Sequence, residues 1–252
     1  MTQPILYMGD DALDRAAAYL GGVLTHAGLG FDHAPSDRDV DDALLDDRRS
    51  LYIISDFPVK RFGEGQMQRI VEDVRDNGAG LVMIGGWESF HGAAGEYGDT
   101  PVAEILPVEI AESDDRVNCP QPCLVKKVRN HPITDGLPFD KPPCIGGYNK
   151  VTARADAQTV LTAQRFGVDR KGGEFQFCPC KNPAPLLVAG AAGKGRTAAF
   201  TTDVAPHWVG GLVDWGPGRM EAQADGGNPI EVGDEYARLL VQMVRWAGND
   251  GD

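Results

Sequence analysis

Side chains able to move protons recur just after the apolar runs of this sequence. Asp10 and Asp11 follow residues 4–8, and Asp56 follows residues 51–55. Trp87, Glu88, Ser89 and His91 follow residues 81–84, while Asp203, His207 and Trp208 follow residues 196–201. A carboxylate and an imidazole tuned by partial burial suit general acid/base chemistry, so Glu88, Asp203 and His207 are catalytic candidates. Asp10, Asp56, Trp87 and Trp208 are candidate ligand contacts. Ser89 is a candidate nucleophile, with His207 or His91 as base and Asp203 or Glu88 orienting the ring. The segment Trp87-Glu-Ser-Phe-His91 nevertheless lacks the flanking glycines of a G-x-S-x-G elbow, which makes a serine-dependent hydrolase the minor reading. Any one Asp or Ser at a strand end can simply cap a helix or close a turn. A function therefore requires the group to converge.

The cysteines form a second constellation. Cys119-Pro-Gln-Pro-Cys123, Cys144 and Cys178-Pro-Cys180 lie within about a quarter of the chain, and two close pairs can offer four thiolates to a tetrahedral Zn²⁺. Cys119, Cys123, Cys178 and Cys180 are thus candidate ligands of a structural zinc, set against a leading reading as buried, inert thiols, since the C-x-C spacing of the second pair is tighter than zinc sites favour.

The elements that must position these residues read as alternating strands and helices in the first half. Residues 4–8, 51–55 and 81–84 are short runs apolar on both faces, and residues 31–34, Phe-Asp-His-Ala, are a weaker strand candidate. Between them, Leu13, Ala16, Ala17, Leu20, Leu24 and Ala27, then Met67, Ile70, Val71 and Val74, fall at helical spacing, closed by Gly28 and by Asn77-Gly78. That pattern predicts a mostly parallel sheet flanked by helices, with right-handed crossovers. Residues 107–185 carry prolines and isolated apolar runs, and predict an irregular antiparallel insertion bearing the cysteines. Residues 186–201 predict a hairpin turning at 191–195, and Tyr236, Leu239, Leu240, Met243 and Val244 a final amphipathic helix ending at Gly248. Residues 216–234, rich in Gly and acid, predict a long mobile loop. In a parallel sheet, ligands bind beyond the carboxyl ends of the strands, where the polar candidates fall.

The segment Leu81-Val-Met-Ile-Gly-Gly-Trp-Glu-Ser-Phe-His91 resembles the class I glutamine amidotransferase-like family. So do Pro101-Val-Ala-Glu-Ile-Leu-Pro107, His131-Pro-Ile-Thr-Asp-Gly-Leu137, Gly193-Lys-Gly-Arg196 and Phe200-Thr-Thr-Asp-Val-Ala-Pro-His-Trp208. The nearest branch is a cytoplasmic one related to trehalose-utilisation-type domains, and the resemblance runs from about Pro4 to Trp246. It implies an α/β, flavodoxin-like fold in a single domain over residues 1–252. It also implies a nucleophilic cysteine on the turn after the 81–84 strand, with a histidine at about His207. Here that turn carries Gly85 and Gly86. Without a thiolate no glutamine thioester can form, so glutaminase activity is not expected.

Composition narrows the partners. The 252 residues are 42% hydrophobic and carry 24 basic against 37 acidic side chains, a net charge of −13, which disfavours a nucleic-acid or anionic-membrane surface. No secretory signal and no apolar run of membrane-spanning length is present, so a cytoplasmic location with reduced cysteines is expected. Gly190-Ala-Ala-Gly-Lys-Gly195 misses the phosphate-loop spacing and reads as a hairpin turn. Together these readings give an amidotransferase-like protein without its nucleophile, binding or processing a small polar metabolite at the carboxyl edge of the sheet. The rival is a noncatalytic interaction or assembly module, and a homo-oligomer is left open.

Overall fold

The computed structural model describes residues 5–249, so Pro4, expected to open the first strand, lies outside the described residues. Its strands are β1 (Ile5–Gly9), β2 (Phe31–Ala34), β3 (Leu51–Ser55), β4 (Gly80–Ile84), β5 (Val108–Glu109), β6 (Arg116–Lys127), β7 (Cys144–Asn149), β8 (Thr152–Ala153), β9 (Gln158–Gln164), β10 (Phe166–Lys171), β11 (Glu174–Pro179), β12 (Ala184–Ala192), β13 (Gly195–Phe200), β14 (Arg219–Ala222) and β15 (Ile230–Gly233). The α-helices are α1 (Ala17–His26), α2 (Ala43–Asp46), α3 (Gln66–Glu72), α4 (Pro101–Ile105) and α5 (Asp234–Ala247).

Nine strands form one mixed sheet in the order β2-β1-β3-β4-β13-β12-β9-β6-β7. The β2-β1-β3-β4-β13 half is parallel. From β13 onward every pairing is antiparallel. The sheet is thus divided evenly between the two kinds of ladder and is not mostly parallel. The strands expected of an insertion, β6, β7 and β9, are part of the main sheet.

Burial explains the apolar runs. β1, β3 and β4 are buried along their whole length because helices cover both faces. Ile5, Tyr7, Ile53 and Val82 face a core shared with α1 and α5, while Leu6, Met8, Ile54 and Met83 face a second core containing Ile70, Val71 and Val102. This division follows from the period-2 alternation of a strand.

The antiparallel half curls back on the parallel one. β7 is last in the ladder, yet the Asn149 N–H donates to Thr201 O (2.8 Å) and the Thr202 hydroxyl donates to Gly147 O (2.9 Å). The end of β7 therefore lies beside the residues that follow β13. A strand remote in the sheet order thereby reaches the edge where β4 and β13 end.

One expectation is overturned. Residues 216–234 are not a long loop: β14 and β15 pair as an antiparallel hairpin, with Ala222, Ile230 and Val232 buried. Gly21 and Gly22 of α1 make room for this hairpin, since a Cβ on Gly22 would press on Ile230 and Ala222, and one on Gly21 on Leu13, Phe31 and Ala224.

Candidate functional site

Parallel strands end on the same side of a sheet, so residues far apart in sequence meet there. The backbone of Asp10, at the end of β1, donates to Ser55 O (3.1 Å), which ties the β1 exit to the β3 exit. Asp10 (φ 51°) and Asp56 (φ 45°) both adopt the left-handed conformation, which Asp tolerates better than most residues. These two turns lie between the adjacent ends of β1 and β3, where the order 2-1-3 reverses and doubly wound sheets open their ligand crevice.

Three carboxyl groups from three strand exits act on one another here. Asp10 is 7% and Asp203 4% exposed, and Asp56 is partly open to solvent. Burial, then the charge of Asp56, pushes the Asp10 carboxyl up to about 7. Asp56 is pushed up to about 6 by burial and by the charge of Glu88, against the backbone N–H bonds that it accepts from Glu88 and Trp87. Asp203 is driven well above the ordinary carboxylate range by burial and by Asp56 and Asp10. Like charges in a desolvated space oppose joint ionisation, so the three retain protons as a group.

Each carboxyl has a defined support. The Tyr7 hydroxyl donates to Asp10 Oδ2 (2.7 Å). Glu88 N–H donates to Asp56 Oδ1 (2.8 Å), and Ala205 N–H to Asp203 Oδ1 (2.9 Å). Ser89 is fully buried, and its Oγ accepts from the Asp56 N–H (2.9 Å), so this hydroxyl braces the Asp56 turn. The Asp11 carboxylate turns outward to an exposed ion pair with Arg15 (2.6 Å).

The Gly85-Gly86 turn has no space for a nucleophile's side chain. A Cβ on Gly86 would overlap the Asp56 carboxylate, and one on Gly85 would overlap the Thr201 carbonyl. Neither glycine has positive φ, in contrast to Asp10 and Asp56. Buried Asn149 holds the turn by both ends of its amide: Gly86 N–H donates to its Oδ1 (2.9 Å), and its Nδ2 donates to Gly86 O (3.1 Å) and to Asp115 Oδ1 (2.7 Å). Asp115 in turn accepts from the N–H groups of His91 and Gly92, both at 3.0 Å.

Around this buried set lies an aromatic and cationic rim. Trp87 is 45% exposed, the Arg116 guanidinium sits 4.6 Å from its ring centre, and the His207 ring packs edge-on at 5.4 Å. His207 is exposed, next in space to the neighbour of Glu88. Trp208 differs: it is buried against Gly147, and its Nε1 donates to Asn118 Oδ1 (2.9 Å). Its ring fills the core where a ligand contact was expected.

Sequence reasoning missed Tyr7, Asp115, Arg116 and Asn149. A hydroxyl inside the otherwise apolar run 5–8 was a signal for Tyr7. No periodic pattern marked Asn149, because its placement depends on the curl of the antiparallel half.

The four candidate zinc ligands are not brought together. Cys123 belongs to the core, and Cys119 is half-buried against it. Cys178 and Cys180 are exposed, on or just beyond β11. A closed Cys₄ site needs four sulfurs about 2.3 Å from one point. Among the described residues no three His, Cys, Asp or Glu side chains are grouped to hold a metal ion.

Comparison with known proteins agrees with the architecture. A cytoplasmic protein of Salmonella typhimurium is 27% identical, over 97% of this chain and 98% of that one, at a TM-score of 0.71. A second, from strain LT2, is 28% identical over 82% of this chain and 91% of its own, at 0.64. A β-galactosidase from Rahnella sp. R3 shares the fold at 15% identity, over 97% of this chain and 31% of that chain, with a TM-score of 0.53. No curated protein matches the chain. Residues 60–219 match the family described as "Putative glutamine amidotransferase". With the motifs of the β4 and β13 exits inside that span, the chain belongs to the class I glutamine amidotransferase-like family.

Proposed function

We propose that the protein binds a small polar ligand at the carboxyl edge of the parallel strands and exchanges protons with it, without hydrolysing glutamine. The observation that carries this reading is the overlap of the Gly86 Cβ position with the Asp56 carboxylate. Where the family's thiol is expected, this chain places an acid whose proton affinity is raised to about 6. An acid near that value both gives and takes protons close to neutral pH, as general acid/base chemistry requires. Asp56 and Glu88, both partly exposed, would meet the ligand, with Asp10 and Asp203 holding protons beneath them. Trp87, His207 and Arg116 would form the rim. Ser89 serves in this reading as a brace and not as a nucleophile, because it is fully buried and bound to the Asp56 backbone. A cytoplasmic location follows by extension from the two Salmonella proteins. Among the described residues no helix is long and apolar enough to cross a membrane.

The test is a thermal-shift screen of polar metabolites, glutamine included, against the wild-type chain, Asp56→Asn and Glu88→Gln. A metabolite that raises the Tm of the wild type and of neither variant supports the reading. Ammonia release from glutamine above a heat-killed control, or no shift with any metabolite, contradicts it.

A further inference from the structure

The β10–β11 hairpin is built unlike the rest of the molecule. It is a two-stranded sheet of its own, and every strand residue except Phe166 is exposed. Its register pairs Phe166 with Pro179, Val168 with Phe177 and Arg170 with Phe175, so these six share one face. Gly167, Asp169, Lys171, Glu174, Gln176 and Cys178 take the other. The hairpin is therefore amphipathic with its apolar face in water: Val168 is 40%, Phe177 57% and Phe175 69% exposed. The β14–β15 hairpin has the same two-stranded design but buries its apolar face on α1. Solvated aromatic side chains side by side mark an interaction surface.

Charge identifies what covers it. Residues 165–181 carry Arg165, Arg170, Lys171 and Lys181 against Asp169 and Glu174, a basic excess on a chain whose net charge is −13. The rest of the chain is thus more acidic than the whole, and would repel a polyanion approaching the hairpin. A second copy of the same chain supplies the acidic surface that the hairpin attracts, and reciprocal exchange closes a two-fold dimer. The direction of the hairpin also suits exchange. β9 runs parallel to β13 and β4 through two antiparallel steps, so the hairpin that follows β9 starts from the carboxyl edge and can extend away from the body.

We infer that β10–β11 is a dimerisation arm whose Val168, Phe175 and Phe177 face lies on the acidic body of a second copy. Light scattering coupled to size exclusion on the full chain, at loading concentrations up to about 100 µM, tests it. The wild type should run at twice the 27.0 kDa chain mass. Phe175→Ser with Phe177→Ser should weaken association by at least about tenfold, since buried aromatic side chains dominate interface energy. Its far-ultraviolet circular dichroism should be unchanged, because nothing in the core depends on these rings. Arg170→Glu with Lys171→Glu, which keeps Val168, Phe175 and Phe177, should also weaken association. Raising salt from about 0.05 to 0.5 M should do the same for the wild type. A wild-type monomer at the highest concentration would overturn the inference, whether or not it bound phosphatidylserine vesicles. So would an aromatic double variant that assembles as tightly as the wild type.

Discussion

The carboxyl edge of the parallel strands and the cysteine-bearing antiparallel half are the two polar constellations of the sequence, and they meet opposite fates. Asp10, Asp56, Glu88 and Asp203 are drawn from four segments up to about two hundred residues apart, and their charges act on one another. Cys119, Cys123, Cys178 and Cys180 lie much closer in sequence and are divided between core and arm. Topology makes the difference. Parallel strands deliver every following residue to one edge, whereas an antiparallel meander sends successive turns to opposite ends and lets a hairpin leave the sheet.

The largest effect expected from breaking this convergence is at Asn149, the amide that fastens the curled half to the Gly86 turn. Asn149→Ala removes three buried hydrogen bonds and leaves Asp115 and the Gly86 peptide underpaired, for a loss of about 2–4 kcal/mol in urea unfolding. Gly86→Ala should cost about 2–3 kcal/mol, because its methyl group displaces the Asp56 carboxylate. A neutral result there would separate Asp56 from the turn.

Proton sharing gives the third prediction, with the opposite sign. A carboxyl with a raised folded pKa is stabilising below its unfolded value and loses that contribution as pH rises through the folded one. With Asp10 moving from 3.8 to about 7 and Asp56 to about 6, stability should fall between about pH 4 and 7. Asp10→Asn mimics the protonated acid, so it should add roughly 1–3 kcal/mol at pH 8 and almost nothing at pH 4. Unfolding curves at the two pH values check this. The smallest effect sharpens the other side of the comparison: Cys178→Ser should stay within about 0.5 kcal/mol of the wild type, and a chelator should leave Tm unchanged.

Much of the frame was legible because burial writes itself into periodicity. The runs at β1, β3 and β4, the stripe of α5 and the stop at Gly78, in the left-handed conformation at φ 86°, all follow from local rules. The strand exits were legible as a set for the same reason. The Gly and acid content of residues 216–234 reads as loop, although Met220 and Ala222, then Ile230 and Val232, alternate as strand residues should. Asn149 and Arg116 could not be placed, since no local pattern encodes a sheet that curls until its last strand meets its fifth. Trp208 shows the reverse limit: its position after β13 suggested a ligand contact, but Gly147 leaves a space that its ring fills.

The claim on which the account rests is that Asp10, Asp56 and Asp203 hold protons together at the strand exits. A ¹³C NMR titration of the aspartate side-chain carboxyls, assigned with Asp10→Asn and Asp56→Asn, measures this directly. The account predicts resonances with apparent midpoints at about 6 and about 7, each shifting when the other residue is neutralised. Midpoints for all three near the ordinary aspartate value of about 4, unchanged by either substitution, would contradict it.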